Sequence, residues 1–121
     1  MNSTVDENIV DLKVLMISAD NDKFWAAELF QLFLQDTCSR IEAIEKALRS
    51  GEYKDLTIHV HTIKGSAGSV GAIKIKQCAL EMENMCRAGQ FDPIRNKLPE
   101  LKDEFGKVKM FFKQNFDKVC Q

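Results

Sequence analysis

Apolar residues recur every three or four positions along almost the whole chain, and nowhere do they alternate with period two for long. That spacing predicts helices joined by short links. Val5, Ile9, Leu12 and Met16 form a short stripe, predicting a first helix over about residues 5–17. The cluster Ser18–Ala19–Asp20–Asn21 ends it and offers caps for the next. A second helix is expected from about Asp22 to Arg49, with Ala26, Phe30, Phe33, Leu34, Thr37, Ile41, Ile44 and Leu48 inward and Ser50–Gly51 as its stop. A third, about Asp55 to Ser69, carries Leu56, Val60, Ile63, Ala67 and Val70 on one side. The fourth, about Ile73 to Ala88, turns Ile75, Cys78, Ala79, Met82, Met85 and Cys86 inward, and Gly89 ends it. Asp92–Pro93 begins the last, Pro99 is expected to kink or restart it, and Leu98, Leu101, Phe105, Val108, Phe112 and Phe116 follow as one stripe.

Four amphipathic helices with short links imply antiparallel neighbours around a shared core. The fold class expected is all-α: an antiparallel four-helix bundle with an additional short N-terminal helix, residues 1–121 forming a single domain. Trp25, Leu29 and Leu32 lie off the main stripe of the second helix. Cover by the N-terminal helix is the expectation there, with a partner-binding patch as the alternative.

Composition narrows the function classes. Seventeen basic against eighteen acidic residues give a net charge of −1, which lacks the electrostatic footprint of a nucleic-acid binder. No stretch approaches the roughly 18 apolar residues of a membrane span, and the N-terminus shows no basic, then apolar, signal pattern. A soluble, cytoplasmic protein is expected. Cys38, Cys78, Cys86 and Cys120 show neither a CxxC pair nor cysteine–histidine ligand spacing, so they read as small buried hydrophobes and no metal site is expected.

The chemistry concentrates in His59–Val60–His61–Thr62–Ile63–Lys64–Gly65–Ser66–Ala67–Gly68. Taking about 100° per residue from His61, the apolar stripe falls at about 180–240° and His59 near 160°. His61 therefore points away from the core, and His59 lies on or beside it. Two histidines so divergent cannot chelate one ion. Lys64, Gly65 and Gly68 lie within about 60° of His61. Each glycine inside a helix costs about 1 kcal/mol relative to alanine, so two on one exposed face need a reason. Glycine lets another protein's surface approach the imidazole closely, and lysine places a cation where a phosphoryl group would sit. An exposed neutral imidazole is a competent nucleophile at neutral pH. Because the lysine precedes the glycines, the run is not a phosphate loop. Gly71 reads as a helix terminator.

The pattern His61-x-x-Lys64-Gly65-Ser66-x-x-x-x-Gly71 closely resembles the signature of the histidine phosphotransfer (HPt) family. The resemblance covers nearly the whole chain: length, helix pattern and placement of the motif on the third helix. It implies that His61 is phosphorylated, that Lys64 assists through charge, and that Gly65 keeps a docking surface open, a surface to which the shared helix face adds Gly68. It also implies partners, namely response-regulator receiver domains and a hybrid sensor histidine kinase. Magnesium would reside on the receiver, with no cofactor on this chain and a monomeric state.

If the third and fourth helices are antiparallel about a turn near residues 71–73, Glu83 comes level with His61. Relatives often place a glutamine there; here a glutamate would accept from Nδ1–H and fix the tautomer. Arg87, one turn on, would contact phosphoryl oxygens or pair with Glu83. Two rivals remain at this point. One is a non-transferring adaptor that binds receivers, which the intact His61 and Lys64 disfavour. The other is a bundle enzyme with an internal metal or cofactor, which the almost purely apolar stripes disfavour.

Overall fold

The structure, a computed structural model, describes residues 9–120, with side chains through Phe116. Among the described residues five bounded helices follow one another: α1 Leu12–Ser18, α2 Lys23–Ser50, α3 Leu56–Val70, α4 Ile73–Arg87 and α5 Phe91–Cys120. Helices α2 to α5 form the bundle, with α3 packed between α2 and α4, and α5 closing against both α2 and α4.

The first helix departs from the sequence reading. Val5 lies outside the described residues. The buried positions are Val10, Leu15 and Ala19, while Leu12 is exposed and Ile9 and Met16 are half-buried. The reason is a cap. The Asp11 carboxylate accepts from the Lys13 amide at 3.1 Å, starting α1 at Leu12 and shifting its inward face. The Asp11 amide donates to the Gly71 carbonyl at 2.8 Å, and the Ser18 hydroxyl to the Ser69 carbonyl at 2.7 Å, so α1 sits at the C-terminal end of α3. It packs more against α3 than against α2, and Trp25 and Leu32 stay exposed while Leu29 is half-buried.

A left-handed pair, Asp20 and Asn21, turns the chain into α2, where the Asp22 side chain accepts from the Trp25 amide at 3.0 Å. The inward face of α2 is as read from the pattern, with Ala27 added and Leu34 only half-buried. Gly51 ends it in the left-handed conformation, φ 78°. All five residues expected inward on α3 are buried. Gly71 then does more than terminate α3. Its φ is 78°, and a Cβ there would stand 2.3 Å from the Asp11 carbonyl oxygen, so only glycine fits both the turn and the docked N-terminal segment.

Helix α5 runs unbroken through Pro99, neither stopping nor restarting. Proline removes one donor from the ladder, but Ile94, Leu98 and Leu101 on either side are buried and hold the helix against the bundle. Ile94 and Phe111 join its inward stripe and Phe112 is half-buried. Phe30 centres an aromatic cluster, with ring centroids 6.1 Å from Phe111, 5.1 Å from Phe112 and 5.7 Å from Phe116. Thr37, also in the core, has a hydroxyl with no hydrogen-bond partner. Cys78 is buried and its thiol is pushed up to about 12 by desolvation; Cys86 is half-buried; Cys38 is exposed on α2, against expectation. The Cys120 side chain lies outside the described ones. Among the described residues there is no strand, no helix long and apolar enough to cross a membrane, and no cluster of three or more potential metal ligands.

Candidate functional site

Helix α3 buries Val60, Ile63 and Ala67, which forces His61 outward: its side chain is 61% exposed. The same register puts Lys64 at the seam with α4. The Gly71 turn makes α3 and α4 antiparallel neighbours and brings Glu83 level with His61 across that seam. Glu83 is only 2% exposed, deeper than the flank position read from the pattern.

A buried carboxylate needs partners, and Glu83 has three. Its Oε2 lies 2.6 Å from His61 Nδ1 and accepts from Arg87 Nη2 at 3.0 Å; its Oε1 accepts from Lys64 Nζ at 2.7 Å. The hydrogen bonds from Lys64, Arg87 and His61 hold the carboxyl at about 2, far below its ordinary 4.5, against the opposing effect of burial. An ionised carboxylate only accepts, so His61 Nδ1 must carry a proton. In the neutral ring the lone pair is then on Nε2, the nitrogen turned away from Glu83. One anion faces two fixed cations, leaving the site one unit positive.

The other histidine is occupied elsewhere. His59 is half-buried between α2 and α3, with Nδ1 3.1 Å from Arg40 Nη1; Arg40 Nε donates to Asp36 at 2.8 Å. A guanidinium only donates, so His59 Nδ1 accepts. Gly65 is open: a Cβ there would meet nothing within 4 Å. Gly68 is not open in the same way. A Cβ at 68 would lie 3.4 Å from Cδ, 3.6 Å from Cε and 3.7 Å from Nζ of Lys76, whose stem crosses it from α4. Lys76 is the residue that sequence reasoning missed, although it stands seven positions before Glu83, two turns along the same helix face.

Between α2 and the C-terminal half of α3 runs a shallow groove of about 280 Å³ lined by Leu29, Leu32, Phe33, Asp36, Ser66 and Ser69, among others. Ile58, one turn before His61, and Trp25 add further exposed apolar surface.

A family model described as Hpt domain matches residues 28–110. Among characterised proteins, the chain is 29% identical to histidine-containing phosphotransfer protein 4 of Arabidopsis thaliana, over 86% of this chain and 82% of that one. It is 23% identical to the phosphorelay intermediate protein rdeA of Dictyostelium discoideum, over 89% of this chain and 44% of that one. Among solved structures, histidine-containing phosphotransfer protein B of Pseudomonas aeruginosa superposes with a TM-score of 0.83 at 24% identity, covering 91% of this chain and 96% of that one. The HPT domain of a sensor hybrid histidine kinase from Shewanella superposes with a TM-score of 0.79 at 19% identity, covering 92% and 96%.

Proposed function

Since the chain belongs to the Hpt domain family, which serves histidine phosphotransfer in multistep phosphorelays, we propose that His61 is the residue that carries the phosphoryl group. The observation that supports this most is the buried Glu83 carboxylate on Nδ1 of an exposed histidine. It presents Nε2 outward with its lone pair free. In the proposed reaction a phosphorylated receiver domain docks over α2 and α3, and Nε2 attacks phosphorus in line. The bond from phosphorus to nitrogen forms as the bond to the aspartyl oxygen breaks. The ring gains positive charge as this happens, and Glu83, already in place on Nδ1–H, balances it. Lys64 and Arg87, both anchored on Glu83, offer charge to the phosphoryl oxygens. A second receiver later takes the group in the reverse sense.

The remaining parts of the reading are proposals of the same kind. The receiver supplies the aspartate and the magnesium, and this chain needs no cofactor. Its partners are receiver domains and a hybrid sensor histidine kinase. It works as a cytoplasmic monomer, without kinase activity of its own. Catalysis is then positioning and charge stabilisation.

The test is the phosphoryl source. Protein incubated with ATP and magnesium alone should stay unlabelled, and adding a cognate phospho-receiver should produce an acid-labile, alkali-stable label. Strong labelling by ATP alone would replace the carrier reading with a kinase. Receiver binding without any label would favour the non-transferring adaptor.

A further inference from the structure

The α4 side of the His61 face carries a feature that phosphoryl transfer as described above does not use. Lys64 and Arg87 are committed to Glu83. Lys76 is exposed and has no carboxylate partner among the described residues. Its stem lies flat across Gly68, in contact distance of the space where a Cβ would be, so the missing side chain at 68 is the track on which this lysine rests. Ile73 and Leu80, three before and four after Lys76, are also exposed, at 45% and 42%. The three residues form one helix stripe, an ammonium flanked by two apolar side chains, running beside Gly68 and Gly65 toward His61.

Gly68 is seven residues from His61, about 10 Å along the helix axis, and side chains tilt toward the helix N-terminus, which takes the imidazole further away. Lys76 therefore stands too far from His61 to serve the transferred phosphoryl group. It stands at the distance of a rim.

We propose that Lys76 is a docking residue: with Ile73 and Leu80 it extends the partner's footprint from α3 onto α4, and its ammonium engages the acidic rim of an incoming receiver. This rests on the phosphocarrier reading. The complementarity follows from chemistry, because a protein that holds an aspartyl phosphate and magnesium surrounds them with carboxylates, and Lys76, without a fixed anion among the described residues, is available to meet them. Rim charges of this kind act on the rate of encounter more than on the chemical step, and their effect fades with salt.

The experiment compares wild type with Lys76→Met, which keeps an apolar stem over Gly68, Lys76→Glu, which reverses the charge, and Lys76→Arg, which keeps it. Each is labelled by a phosphorylated receiver at low and high salt and by phosphoramidate, a small donor that needs no docking. At low salt the receiver's second-order transfer rate should fall about threefold in Lys76→Met and about tenfold in Lys76→Glu, with Lys76→Arg close to wild type and the differences shrinking at high salt. Phosphoramidate should label all four alike. Equal receiver rates for all four at low salt would overturn the docking role. A parallel loss with phosphoramidate would also overturn it, placing Lys76 at the imidazole. Wild type that neither donor labels would overturn the carrier reading itself.

Discussion

Glu83→Gln separates the charge of the buried carboxylate from its shape. Wild-type Glu83 is held at about 2 instead of 4.5 by Lys64, Arg87 and His61. By linkage, a shift of that size corresponds to about 3 kcal/mol of stability at neutral pH. His61 and Arg87 are open to solvent, which screens their share, so about 2 kcal/mol is the fairer figure. The amide retains one acceptor but presents an NH2 to a group of donors. Glu83→Gln should therefore lose about 2 kcal/mol at pH 7, seen in urea denaturation as a lower midpoint with an unchanged slope. The sign with pH follows from the depressed value. The carboxylate's contribution is complete above the unfolded value of 4.5 and is lost as pH falls toward about 2. The gap between wild type and variant should thus close over that window, because the other acidic groups are common to both and cancel. A gap of the same size at pH 3 and pH 7, or no gap at pH 7, would refute the electrostatic account of Glu83.

Two glycines make opposite predictions. Gly65→Ala should fold normally or gain about 0.5–1 kcal/mol, since its Cβ meets open space, whereas Gly65→Gln should stay helical yet slow transfer from a phospho-receiver sharply, with phosphoramidate labelling little changed. Gly71→Ala should lose more than about 2 kcal/mol in thermal or chemical denaturation, because a Cβ there combines a left-handed backbone with a 2.3 Å clash on the Asp11 carbonyl.

The inward face of α3 was fully legible because fifteen residues of regular helix keep a constant angle per residue, and five apolar side chains mark one side. The same arithmetic turned His61 outward, and the short link at Gly71 was enough to bring Glu83 level with it. The burial of Glu83 was not legible from α4 alone, since a glutamate is tolerated there only because Lys64 and His61 arrive from another helix to satisfy it. The first helix departs from its local pattern for a related reason. Its position is set by the backbone bond from Asp11 to Gly71, sixty residues apart, which leaves no trace in local periodicity. Trp25 and Leu32 consequently remain exposed on α2. Pro99 by itself predicts a break, but the buried side chains around it carry α5 through.

The central claim, that His61 is the phosphorylated residue, is tested by comparing His61→Gln with His59→Gln under labelling by one phospho-receiver, with the labelled residue located by fragmentation. His61 faces solvent and His59 is engaged by Arg40, so the two variants should differ in opposite respects. His61→Gln should melt close to wild type and take up no label, while His59→Gln should be labelled normally and melt somewhat lower. Phosphate recovered on His59, or normal labelling of His61→Gln, would contradict the account.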